Sequence, residues 1–216
     1  MTPDALFGKP PLRGRLSRIA SARTGARALL VAALMWAPVL SQAMPQAHAA
    51  KPVVTMGDGR QGCSLRGTFH AAVSGALAWD VLSDYDHIDE FVSSVRSSRV
   101  EHRDADDVLL RQDAVGGFFL FHRHVQVLLK VHETPRSRID FRDILRKDFH
   151  DYVGSWHIAP DSAGTQVNYE LKAEPKTPMP RSVCRGMLKG VAQDLLEEVQ
   201  AEMLRRAHLG SARVEE

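Results

Sequence analysis

Between Ser182 and Ala207, the apolar residues Met187, Leu188, Val191, Leu195, Val199 and Met203 recur at helical spacing, opposite Arg185, Lys189, Asp194, Glu197 and Glu198. That stripe predicts one long amphipathic helix, with Pro180 placed at its first turn. A stripe of this length must be covered by a broad apolar surface, and the natural surface is one face of a sheet. The rest of the chain is therefore read for strands that present such a face.

The longest strand signal runs from Phe118 to Glu133. Val125, Val127, Leu129 and Val131 fall on one parity and His124, Gln126, Lys130 and His132 on the other, which describes a half-buried strand with one wet face. Carried backwards, the inner parity takes in Phe119, Phe121 and Arg123. The strand before it spans Val108 to Val115 and ends at Gly116-Gly117, and Ser94 to Arg103 is extended. Downstream, Ile139 and Phe141 alternate within Arg138 to Leu145. Tyr152, Gly154, Trp156 and Ile158 share a parity, and Val167, Tyr169 and Leu171 face inward between Thr165 and Ala173. At the other end, a strand from Leu65 to Ala72 leads into a helix carrying Ala76, Trp79 and Leu82, with Ser74 as its N-cap. Asp84-Tyr85-Asp86 interrupts, and a second short helix follows with Asp86 as N-cap and Asp89 in its first turn. The fold class is α+β: a curved antiparallel sheet of about seven strands, with two short helices after the first strand, wrapped around a long C-terminal helix.

The first 49 residues differ from the rest. Lys9, Arg13, Arg15, Arg18, Arg23 and Arg27 stand against one acid, Asp4, and precede the apolar run Ala28 to Leu40; Ala47-His48-Ala49 supplies a cleavage site. This reads as a cleaved signal peptide over 1–49, too short in its apolar run for a membrane span. A transit peptide, an uncleaved anchor and a later start are the competing readings. Residues 50–64 read as a flexible lead-in, 65–208 as the folded domain and 209–216 as a tail. Without the leader, 22 basic residues face 25 acidic ones, net −3. That balance gives no electrostatic ground for nucleic acid as a partner. The expected compartment is periplasmic or extracellular, where the even pair Cys63 and Cys184 is a candidate disulfide, with two free thiols as the alternative.

The order of elements resembles the START-like or helix-grip (SRPBCC) superfamily, with its polyketide cyclase/dehydrase group. Within it the chain is similar to bacterial proteins with a coenzyme-Q-binding START-like domain. The resemblance spans Leu65 to Leu204. Its carriers are the Trp79 to Leu82 helix, Asp84-Tyr85-Asp86 with Phe91, Ser97-Ser98-Arg99-Val100, Val131-His132-Glu133-Thr134-Pro135 and Gly154-Ser155-Trp156. These residues keep a fold and are not a catalytic signature. The resemblance implies that the first strand pairs with the last, which would bring Cys63 near Cys184.

The resemblance also implies a cavity between sheet and helix, for which Trp79, Phe91, Phe119, Phe121, Arg123, Tyr152, Trp156, Tyr169, Met187 and Val191 are the candidate lining. Arg123 on the inner parity would need a partner, either a ligand's polar group or an acid such as Asp113. His122, His124, His132 and His150 lack convincing zinc-ligand spacing. His122 and His157 have no visible orienting partner for acid–base work. No nucleophile elbow, phosphate loop or dinucleotide fingerprint is present, and no cofactor or metal is expected. The expected function is an exported binding protein holding a hydrophobic small molecule: a lipid, a quinone-like or a polyketide-like compound. A cyclase/dehydratase-type enzyme using the same cavity, with Arg123, Tyr152 or His157 orienting the substrate, is the alternative, and an interaction module with a filled core is the third reading.

Overall fold

The computed structural model describes residues 50–57, 62–118 and 121–212, apart from the side chains of 116–118 and 121–123. The expected leader and Phe119 lie outside the described residues. Among the described residues, eight strands form one antiparallel sheet: β1 (Val53–Gly57), β2 (Cys63–Ala71), β3 (Val95–Asp104), β4 (Asp107–Phe118), β5 (Phe121–Thr134), β6 (Arg138–Asp143), β7 (Phe149–Asp161) and β8 (Gly164–Pro175). Their order across the sheet is β1-β2-β8-β7-β6-β5-β4-β3. Strands β3 to β8 are a meander of hairpins, and β2 joins its end by pairing with β8, Leu65 opposite Leu171 and Phe69 opposite Val167. The described helices are α1 (Gly75–Leu82), α2 (Ile88–Phe91) and α3 (Arg181–Ala212), with a 3-10 turn (Tyr85–His87) before α2.

The alternation expected along the strands is observed. Val127, Leu129 and Val131 of β5, Ile139 and Phe141 of β6, Ile158 of β7, and Val167, Tyr169 and Leu171 of β8 are buried in a single core with Leu196, Val199 and Met203 of α3. The helix lies directly on β2 at Gly67. A Cβ there would run into Leu196 Cδ1, so the absent side chain sets the closeness of helix and sheet. Fully burying Leu196 contributes about 2 kcal/mol relative to leaving it in water.

Several boundaries depart from the sequence reading. The lead-in expected to be flexible contains β1, paired with β2 from Val53 opposite Thr68 to Gly57 opposite Ser64. Beyond that ladder, contacts from α3, far away in the chain, hold it in place. Gln200 Nε2 donates to Ala50 O at 3.0 Å, Gln193 Nε2 to Pro52 O at 2.9 Å and Arg185 Nη1 to Gly57 O at 2.8 Å. β4 passes through Gly116-Gly117 and ends at Phe118, so the β5 strand begins later than expected, at Phe121. The expected tail is helical as far as Ala212.

Helix α1 is capped as expected, Leu77 N donating to Ser74 Oγ at 3.2 Å. Its buried face is Ala78, Val81 and Leu82 rather than the Ala76, Trp79 and Leu82 row; Ala76 is exposed and Trp79 half-buried. Asp86 does not cap α2. Its Oδ1 accepts from Val100 N at 2.7 Å and so ties the 3-10 turn to β3. The far end of α3 is fastened to the same region. The buried Glu202 carboxylate accepts from Arg205 Nε and Arg206 Nε, each at 2.6 Å. Arg206 also reaches Asp84 Oδ2 at 2.8 Å and stands 5.7 Å from the Phe91 ring. The Arg205 and Arg206 guanidinium groups hold the Glu202 carboxyl below its ordinary range.

Candidate functional site

Between the inner face of the sheet and the first half of α3 the side chains do not meet, and a cavity of about 230 Å³ remains. Its floor is the strand residues Leu110, Val127, Leu129, Val131, Ile139, Phe141, Tyr152, Trp156 and Tyr169, and its cover is Met187, Leu188, Val191 and Leu195 of α3. Leu82, Tyr85, Ile88 and Val92 close it from the helical side. Leu196, Val199 and Met203 of α3 are buried in the core, Leu196 against β2 at Gly67, whereas Met187, Leu188 and Val191, earlier in the same helix, border the cavity. Gly154 lets the Phe141 ring lie against β7: a Cβ there would collide with that ring and with Glu170 O.

Among the described residues no charged side chain and no histidine lines the cavity. Its polar groups are Ser94, Gln112 and three tyrosines, Tyr85, Tyr152 and Tyr169, which are all the tyrosines of the chain. The aromatic wall is continuous. Trp156 and Tyr169 have ring centroids 4.3 Å apart, Phe149 and Tyr152 4.8 Å, and Phe141 and Tyr152 6.0 Å. Burial pushes the Tyr152 phenol up to about 12, partly opposed by the neighbouring Tyr169 hydroxyl. Burial likewise lifts Tyr169 well above the ordinary value. Both stay neutral at physiological pH, so the described lining carries no charge. Gln112 Nε2 donates to Ser98 Oγ at 3.0 Å.

Of the residues named from sequence, Tyr152, Trp156, Tyr169, Met187 and Val191 are brought together around this cavity. Trp79 and Phe91 are not: both are half-buried and packed against the core elsewhere, Phe91 facing Arg206. The side chains of Phe121 and Arg123 are outside the described residues. Asp113, suggested as a partner for Arg123, accepts from Ser97 Oγ at 3.1 Å, and its buried Oδ1 has no hydrogen-bond partner among the described residues. His124, His132, His150 and His157 are exposed, with His132 Nδ1 2.9 Å from Asp107 Oδ1. No group of three or more His, Cys, Asp or Glu side chains converges among the described residues.

Cys63 and Cys184 are bridged, with Cα atoms 6.4 Å apart. The bridge ties the first turn of α3 to the start of β2, and Cys184 itself borders the cavity. No described helix is long and apolar enough to cross a membrane.

The sequence reading missed Tyr85, Ile88 and Val92 as lining. Their i, i+3, i+7 spacing was available, but the 3-10 turn and the break at Asp84 hid it from a search for a regular helix. It also placed Phe141 and Phe149 on strands without assigning them to the cavity.

An antiparallel sheet gripping one C-terminal helix over an apolar cavity is the helix-grip architecture of the START-like superfamily. The chain belongs to the family described as polyketide cyclase / dehydrase and lipid transport, whose model matches residues 72–200. Among solved structures it is similar to a STAR-related lipid transfer protein from Xanthomonas axonopodis, with TM-score 0.59 and 13% identity over 72% of this chain and 97% of that one. It is also similar to a Streptomyces aromatase/cyclase, with TM-score 0.57 and 16% identity over 67% of this chain and 94% of the other. A protein from Thermus thermophilus matches with TM-score 0.59 and 19% identity over 66% and 98%. At these identities the likeness is one of fold. No curated protein matches.

Proposed function

We propose that this protein is an exported carrier that holds one neutral, hydrophobic small molecule between the sheet and the first half of α3. The observation that carries this reading is the cavity itself: apolar and aromatic on every described side, without a charged group, a free thiol or a histidine that could begin chemistry. A carrier needs burial and shape, and both are present. An enzyme of the cyclase/dehydratase kind calls for a base as well as an acid at the substrate, and the described lining offers no carboxylate, histidine or lysine, only Ser94, Gln112 and tyrosines whose phenols stay neutral.

The size bounds the cargo. A cavity of about 230 Å³ is larger than the roughly 150 Å³ that holds benzene and smaller than the roughly 300–1,000 Å³ of pockets for drug-sized ligands. A compound of two or three fused rings, or the head of a longer quinone-like, lipid or polyketide-like molecule with its tail beside Met187, is the matching class. The basic, apolar leader supports delivery to the periplasm or beyond, and the Cys63–Cys184 bridge is compatible with an oxidising compartment.

Native mass spectrometry of the protein purified from its own cell envelope, followed by solvent extraction, tests this. The expected result is a chain beginning at Ala50, two hydrogens light, carrying a stoichiometric apolar molecule. Recovery of the protein from the cytoplasm with its leader intact would overturn export. Turnover of an extracted molecule on incubation would overturn the carrier reading in favour of the enzyme.

A further inference from the structure

The turn between β6 and β7 and the approach to α3 lie at one end of the molecule, where Phe149 of β7 pairs with Pro175 of β8 and Lys176 N donates to Asp148 O at 2.9 Å. The cavity reaches the surface there. Its lining residues at this end, Val125, Phe149 and Met187, are half-buried, whereas Val131, Ile139 and Leu171, deeper in the sheet, are buried. Of the four large apolar side chains left exposed among the described residues, two belong to this end: Ile144, 48% exposed, in the turn, and Val183, 45% exposed, in the first turn of α3. Val183 stands one helical turn before Met187, so apolar surface continues from the cavity to the outside. The turn that carries Ile144 is firmly held. The buried Asp143 carboxylate accepts from Leu128 N, Leu145 N and Arg146 N, each at 3.0 Å, and Arg146 takes the left-handed conformation, φ 51°.

Charge is segregated to the same place. Residues 144–148 and 176–193 contain Arg146, Lys147, Lys176, Arg181, Arg185 and Lys189 and a single acid, Asp148. The rest of the chain after the leader has 16 basic against 24 acidic residues. Asp148 Oδ2 is occupied by Gln126 N at 3.0 Å, and Lys147 Nζ donates to the neutral Gln126 Oε1. Arg146, Lys176 and Lys189 make no ion pair among the described residues. Exposed apolar side chains inside a basic, acid-poor rim match a bilayer surface with anionic headgroups, which receives the basic groups at its phosphates and the apolar ones at the acyl boundary. We infer that this end docks the protein on bilayers containing anionic phospholipid, with Ile144 and Val183 entering the headgroup layer and the cavity facing the membrane. The inference rests on the carrier reading and adds the partner with which cargo is exchanged.

The test is co-sedimentation of the exported protein with vesicles of phosphatidylcholine alone or of equal parts phosphatidylcholine and phosphatidylglycerol. Binding of N-phenyl-1-naphthylamine, a neutral fluorescent probe, reports on the cavity in parallel. The expected result is binding to the anionic vesicles about tenfold or more above that to phosphatidylcholine, lost at about 0.5 M salt. Arg146→Gln with Lys147→Gln weakens vesicle binding about tenfold, and Ile144→Ser about fivefold, with probe affinity and Tm unchanged. Arg99→Gln with Arg136→Gln removes two exposed charges elsewhere and leaves vesicle binding as it was, as does Val53→Ser. Equal losses in the two charge pairs would mean general attraction without a docking face and would overturn the inference. Absence of vesicle binding in protein that still takes up the probe refutes docking and leaves the carrier reading standing. Vesicle binding without probe uptake does the reverse. Self-association without vesicles, removed by Ile144→Ser, would make a second copy the occupant of this face and the inference wrong.

Discussion

Gly67→Ala and Leu196→Ala together probe the point where α3 rests on β2 with no side chain between them. Glycine to alanine in a strand ordinarily gains about 0.4–1 kcal/mol by stiffening the unfolded chain, where the native geometry accepts the methyl. Here the methyl would run into Leu196 Cδ1. Either Leu196 leaves its rotamer or the helix lifts, and overpacking of this kind costs about 1–3 kcal/mol. The sign of the single change is therefore diagnostic. Leu196→Ala removes a completely buried side chain and costs about 3–5 kcal/mol through lost transfer energy and the void left behind. In the double variant the clash is gone and the methyl introduced by Gly67→Ala fills part of the void, so its loss falls short of the sum of the singles by about 2 kcal/mol. Urea unfolding followed by tryptophan fluorescence, with equal m-values, gives all three numbers. A stabilising Gly67→Ala, or additivity to within about 0.5 kcal/mol, would refute the argument that this glycine sets the height of the helix above the sheet.

Two further outcomes follow from the buried groups. Replacing Cys63 and Cys184 by serine opens a loop with a sequence separation of 121, which in the chain-entropy model costs about 5 kcal/mol; guanidinium unfolding of oxidised wild type against the double variant measures it, and a difference below about 1 kcal/mol would deny the bridge a role in stability. The three tyrosines all have phenols raised by burial, Tyr152 to about 12, so the native protein should show no tyrosinate absorbance near pH 10. The unfolded chain releases these protons from about pH 10, so their contribution to stability is fully present below that pH and is lost as pH rises through the native values; tyrosinate appearing at about pH 10 in still-folded protein would contradict the buried cavity wall.

How much of this was visible in the sequence follows from what each signal depends on. The parity of Val127, Leu129, Val131, Ile139, Phe141, Val167, Tyr169 and Leu171 is local, and each sits on the buried face as read. The spacing on α3 is equally local, which is why Met187 and Val191 stand beside the cavity as expected. Strand β1 pairs locally with β2, but it is short and set in a glycine-rich segment that gives a weak strand signal, and the side chains that fasten it, Gln193, Gln200 and Arg185, are more than a hundred residues away. Gln200 and Glu202 are polar by composition and buried by tertiary contact, and no periodicity announces a satisfied glutamine. Asp86 fits the local capping rule and is claimed instead by Val100 N across the β3 strand. Trp79 and Phe91 suit a cavity wall as large aromatics, and the turn of helices α1 and α2 directs them elsewhere. Tyr85 is legible as a family residue, but its burial beside Arg103 and Glu133 depends on tertiary contact.

The pairing of β2 with β8 also has a meaning in time. The meander from β3 to β8 is built from hairpins that can close as soon as each is made, whereas β2, free to pair with β1 at once, must wait for its other neighbour, a strand about a hundred residues later. Long-range pairings of this kind are slow, because the loop has to close before the contacts form. A chain emerging N-terminus first would therefore hold the β1-β2 hairpin with one edge unpaired until β8 had followed. The topology keeps the sheet unfinished until the end of the chain is made, and the last two elements, β8 and α3, are the ones that complete the sheet and cover the cavity.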